Sequence, residues 1–109
     1  MKSNKAAVDA FLEDVREAIR NKRCTPIDRD KNMSSLGKLG LFWSDAMAII
    51  EKLTYNDYIK GPEEDRDMPN SDKLWIFKKP FEGILIYIKI KILYKVDKRL
   101  IVVSFHIDE

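Results

Sequence analysis

From residue 84 to residue 92 isoleucine takes every second position, as Ile84, Ile86, Ile88, Ile90 and Ile92, with Leu85, Tyr87, Lys89 and Lys91 between them. Side chains on a strand alternate between its faces, so this run predicts a strand with one apolar face and one face carrying a tyrosine and two lysines. Residues 74–79 and 100–107 read as strands too, and the last two strands, 84–96 and 100–107, join as a hairpin across Asp97 and Lys98. An even turn centred there pairs Ile90 with Phe105 and Ile92 with Val103, apolar against apolar. Ile101 and Ile107 then share that apolar face, while Leu100 and Val102 fall on the other. The same register sets Lys89 opposite His106 and Lys91 opposite Ser104, and so gathers Tyr87, Lys89, Lys91, Ser104 and His106 on one polar face.

The N-terminal half carries a different period. In residues 4–22 the apolar positions Val8, Phe11, Leu12, Val15, Ala18 and Ile19 fall three or four apart, the spacing of one helical face. Thr25-Pro26 stops that helix, because the residue before proline is pushed out of helical conformation. A shorter helix is expected over residues 31–39, ended by Gly40. A third runs from an N-cap at Ser44 through Ala46, Met47, Ile49, Ile50 and Leu53, with a helical turn over residues 57–60. Residues 61–72 hold two prolines, a glycine and no periodicity, the mark of an exposed loop. Helices over about 4–60, this loop, and strands over 73–107 make one α+β domain in which N-terminal helices pack on a C-terminal antiparallel sheet in two layers.

Composition narrows the function classes. The 109 residues are 45% hydrophobic and 35% charged, with a net charge of +2, as in a soluble globular domain with one core. The charge is unevenly placed: residues 62–72 are acidic, whereas residues 73–79 and 89–99 are basic. One cysteine, Cys24, and one histidine exclude an internal disulfide and leave no ligand set for a zinc centre, so no metal and no cofactor are expected. The N-terminus lacks the apolar core of a signal peptide and no run spans a bilayer, which predicts a cytoplasmic protein without a membrane partner. Taken alone, the lysines of the hairpin are better read as the solvent side of an amphipathic strand. A lone histidine on a half-exposed strand is more often structural than catalytic.

Four separated blocks, in this order, carry more than the pattern: LGLFWSDAMAIIEKLTYNDYIKGP, then Asp65-Arg66-Asp67, then LWIF, and finally IYIKIKI with VVSFH. Together they resemble the MqsR family, toxins of type II toxin-antitoxin systems, over residues 36–107. The resemblance implies a RelE-like toxin fold, metal-independent cleavage of mRNA as an endoribonuclease, and neutralisation by a cognate antitoxin, with the ribosome open as a further partner. It carries over Lys60 in DYIK and, from the Y-x-K strand motif, Tyr87 and Lys89. Well-known members place a glutamine directly after the tryptophan of LWIF, where this chain has Ile76, and a lysine after the terminal SF, where it has His106.

The residue types suit that chemistry. A ribonuclease without a metal takes a proton from the 2′-hydroxyl, stabilises charge on the phosphorus oxygens and protonates the departing 5′-oxygen. Lys60, Tyr87 and His106 are the expected catalytic residues, histidine being the residue type that titrates near neutral pH. Lys89 steadies the phosphate, Lys78, Lys79 and Lys91 are assigned to backbone phosphates, and Arg66 is held toward the site by the acidic loop. Trp75 or Phe77 is a candidate to stack a base, although a buried core role is favoured by how aromatic side chains are usually used. The competing reading is a non-catalytic module of the same fold, either one that binds RNA with strong salt dependence and releases no products or one that binds a protein partner and shows no RNA affinity.

Overall fold

The structure is a computed structural model that describes residues 2–27 and 29–108. Helix α1 (Lys5–Arg20) begins where Asn4 Oδ1 accepts the Ala7 N–H at 2.9 Å, satisfying one of the donors a helix start leaves unpaired. Its apolar stripe, Val8, Phe11, Leu12, Val15 and Ala18, is buried. Helix α2 (Asp30–Leu39) ends at Gly40, whose φ of 68° is left-handed and costs glycine nothing. Helix α3 (Trp43–Glu51) starts ahead of the expected Ser44 cap. The Asp45 carboxylate reaches back to accept the Phe42 N–H at 2.8 Å, which makes Phe42 the N-cap.

Five strands form one sheet in the order β1-β5-β4-β3-β2: β1 (Cys24–Pro26), β2 (Tyr58–Glu63), β3 (Leu74–Phe81), β4 (Ile84–Leu93) and β5 (Arg99–Ile107). The architecture is α+β, with α1 and α3 packed on one side of the sheet as expected, but the sheet is mixed. Strand β1 runs parallel to β5, with Cys24 beside Leu100, and the other pairings are antiparallel. The helical turn expected over residues 57–60 is a correction. A 3₁₀ turn covers only Tyr55–Asp57, closed where Asp57 Oδ2 accepts the Thr54 N–H at 2.9 Å. The chain then extends as β2 because Tyr58 is buried between Phe77 and Trp75 and its hydroxyl donates to the Gly61 carbonyl. The first three residues of the expected loop, 61–63, are therefore strand, and the connection from β2 to β3 is residues 64–73.

The β4–β5 hairpin also departs from the expected register. Leu93 pairs with Arg99, so five residues make the turn, and Lys98 N–H donates to the Leu93 carbonyl at 3.1 Å. An odd turn inverts the pleat: Leu100 and Val102, not Ile101 and Val103, face the isoleucines and are fully buried. A bulge at Val103 inverts it back, and beyond it Ile88 pairs with Phe105, Lys89 with Ser104 and Tyr87 with His106. This differs from the expected pairing by two residues, one full pleat repeat. The same side chains still share the polar face, with His106 opposite Tyr87 instead of Lys89.

Ile86, Ile88, Ile90, Ile92, Leu100, Val102 and Phe105 meet Val8, Phe11, Leu12, Val15, Ala46, Ile49 and Ile50 in a single core. Beyond the three residues of β1, the outer edge of β5 is closed by α2. The Asn32 side chain, fully buried, donates to the Val103 carbonyl and accepts the Phe105 N–H, both at 3.2 Å. Ser35 Oγ accepts the Ile107 N–H at 3.0 Å. Two side chains thus stand in for a missing strand and hold β5 at the bulge.

Candidate active site

The face of the sheet away from the core helices is built in rows across the strands. One row holds Lys78, Tyr87 and His106, and the next holds Lys60, Ile76, Lys89 and Ser104. With strands about 4.8 Å apart, Lys60 and Lys89 rise from backbones about 10 Å apart, and Tyr87 stands about 7 Å along β4 from Lys89. Ile76, where the family resemblance implies a glutamine, lies between the two lysines in this row, is only 1% exposed and does not line the cleft. The backbone at Gly61 makes this row possible. Its φ is 128°, and a Cβ there would lie 2.8 Å from the Leu74 carbonyl oxygen and 2.9 Å from the Trp75 Cα. Only glycine lets β2 bend this closely against β3 and present Lys60.

Residues 64–67, the first part of the β2–β3 connection, rise over the floor and border a cleft of about 360 Å³. Lys60, Tyr87, Lys89, Leu74 and Val103 line its base, and Glu63, Glu64, Asp65, Arg66, Asp67 and Arg29 line its walls. Asp65 is buried, its Oδ2 2.7 Å from the ammonium of Lys91, which also reaches Ser71 Oγ at 3.2 Å. Asp65 Oδ1 accepts the N–H of Asp67 at 3.0 Å and of Met68 at 3.3 Å, folding the loop on itself.

Four of the sequence candidates, Lys60, Tyr87, Lys89 and Arg66, line the cleft. His106 lies beside it, its ring stacked on Tyr87 at 5.1 Å between centroids and 14° between planes. Lys78 shares the face, with its ammonium 3.0 Å from Asp108. Three assignments are corrected. Lys91 has a side chain only 4% exposed and paired with Asp65, so it has no ammonium to offer a phosphate. Lys79 falls on the helix side of the sheet, beside Ile86, and pairs with Asp57 at 3.4 Å. Trp75 is on that side as well, stacked on Phe11 at 4.4 Å, and packs against the core instead of lining the cleft. Arg29 was not foreseen. It reaches the wall from the start of α2 and pairs with Asp67 at 3.5 Å, a non-local contact for which the sequence carries no periodic signal.

Carboxylates meet two of the four cations that line the cleft, Arg29 and Lys60. Lys60 is 3.6 Å from Glu63, while Lys89 and Arg66 have no ion pair among the described residues. Burial pushes the Tyr87 phenol above its ordinary range, Glu63 and Asp108 push the same way, and Lys78 opposes them in part. The phenol is therefore held in its protonated form, suited to donate. For Asp65, burial alone would raise the carboxyl, but the hydrogen bonds from Lys91 and the Asp67 N–H, with the charge of Lys91, hold it below the usual carboxylate range. His106 Nδ1 lies 3.1 Å from the Ile107 carbonyl oxygen, and a hydrogen carried there leaves Nε2 as an acceptor. Among the described residues no group of three or more His, Cys, Asp and Glu is arranged to hold a metal ion, and no helix is long and apolar enough to cross a membrane.

A family model described as "Motility quorum-sensing regulator, toxin of MqsA" matches residues 9–107. No curated protein matches the chain. The chain belongs to this toxin family.

Proposed function

We propose that this toxin-family member is an endoribonuclease that cuts mRNA in the cleft over Lys60, Tyr87 and Lys89 without a metal ion, and that a cognate antitoxin neutralises it. The observation that carries this reading is the convergence of side chains from β2, β4 and the 64–73 loop on one cleft, with a histidine stacked against its tyrosine. Those residue types match the three tasks of RNA cleavage. His106 Nε2 takes the proton of the 2′-hydroxyl, and the 2′-oxygen forms its bond to phosphorus. Lys60, Lys89 and Arg66 hold the charge that builds on the non-bridging oxygens. Tyr87, kept protonated by its burial, gives its proton to the 5′-oxygen as the P–O5′ bond breaks. The products are a 2′,3′-cyclic phosphate and a 5′-hydroxyl.

Incubating the purified protein with a long single-stranded RNA tests this. The expected result is fragments ending in cyclic phosphate and a loss of cleavage in a Tyr87→Phe, His106→Ala double variant. Intact RNA with the wild type, or undiminished cutting by the double variant, would overturn the enzymatic reading. One observation favours a second reading, a non-catalytic RNA-binding module. Ile76 places no polar side-chain atom between Lys60 and Lys89, where the family resemblance implies a glutamine. That reading predicts salt-dependent RNA binding without products.

A further inference from the structure

We infer that Lys91 is a positioning residue for the cleft: its buried ammonium joins Asp65 at the start of the 64–73 loop to Ser71 near its end and so fixes the wall that faces Lys60, Lys89 and Tyr87. This rests on the ribonuclease reading only for its effect on activity; the anchoring itself stands on geometry. Lys91 is on β4, two residues from Lys89 on the same face, yet its side chain turns under the loop and reaches Asp65 at 2.7 Å and Ser71 at 3.2 Å. Asp65 in turn accepts two backbone N–H groups of the loop, so one charge holds both ends of the segment and its first turn. The residues that follow, Arg66 and Asp67, line the cleft, and Asp67 meets Arg29 across it. Met68 and the residues at positions 69 and 70 are exposed and add no apolar anchor. A buried charge that loses its partner is costly, so neutralising Lys91 frees Asp65 to leave for water and releases the wall.

The test compares wild type with Lys91→Gln, and with Asp65→Asn, which retains the acceptor for the two loop N–H groups. Amide hydrogen exchange over residues 64–73 is measured with cleavage kinetics well below the melting temperature of each variant. Faster exchange confined to the loop is expected, with kcat/KM about 100-fold lower, the scale of a misplaced group. Lys91→Gln combined with Asp65→Asn, which can pair as neutral amides, should recover part of the loop protection. Unchanged loop exchange in Lys91→Gln overturns the inference whether or not RNA is cut. Faster loop exchange with kcat and KM both unchanged overturns the positioning role alone. A wild type that cuts no RNA bears on the ribonuclease reading, and the exchange result still decides the anchor.

Discussion

Tyr87 and His106 show how much one residue's surroundings decide. Both were visible in the sequence as the polar side of an alternating strand and as the terminal SFH, and the resemblance gave Tyr87 a role. Their pairing across the ladder, and the burial that keeps the phenol protonated, depend on the bulge at Val103, for which no residue pattern is a sign. The raised phenol has a consequence for pH. A proton donor whose affinity for its proton lies above that of ordinary tyrosine, about 10, stays competent throughout the neutral and mildly alkaline range. A pH–rate profile for wild type should therefore show no loss from Tyr87 below about pH 10. Tyr87→Phe should lower kcat by about 100-fold or more, the usual contribution of a positioned proton donor, while RNA affinity changes little.

Two elements that the sequence did not announce decide where the site residues stand. The edge of β5 is completed by Asn32 and Ser35 of α2, which the helical pattern marks only as polar positions. Asn32→Ala leaves the Phe105 N–H and the Val103 carbonyl buried without that partner, at a cost of about 2–3 kcal/mol, and calorimetry should register a lower melting temperature. Strand β2 is the second such element. Gly61→Ala would force a Cβ into the backbone of β3 and strain a φ of 128°, which should cost about 2 kcal/mol and lower Tm by roughly 10 °C. It should also weaken RNA cleavage by shifting Lys60. The helices, β3 and the apolar face of β4 were legible because periods of 3.6 and 2 run long enough there to be read. Strands β1 and β2 were not. Cys24–Pro26 is too short for a period, and Gly61-Pro62 looks like a loop until Tyr58 buries it against β3.

At the scale of the whole molecule the division of labour follows the sheet: isoleucines bind the helices on one side, and the alternate residues of the same strand form a cleft on the other. Lys91 breaks the simple form of that rule. Alternation put it with the solvent-facing lysines, but a partner 26 residues away buries it, and no local pattern encodes such a contact. The Asp65–Lys91 pair also makes stability depend on pH. Because the folded carboxyl sits below its unfolded value of about 3.9, the contribution is complete above about pH 4 and is lost as pH falls through the folded value. Asp65→Asn leaves the buried Lys91 charge without its counter-charge and should be about 3 kcal/mol less stable at pH 7, with the gap to wild type narrowing in acid-denaturation curves as pH falls below about 4. The measurement that bears most directly on the cleft as an RNA site is an NMR titration with a single-stranded oligonucleotide made uncleavable by 2′-deoxy sugars. Shifts are predicted at the amides of Lys60, Ile76, Tyr87, Lys89 and His106 and across residues 64–67. Shifts confined to α1 and α3, or none at concentrations where RNA is bound, would contradict it.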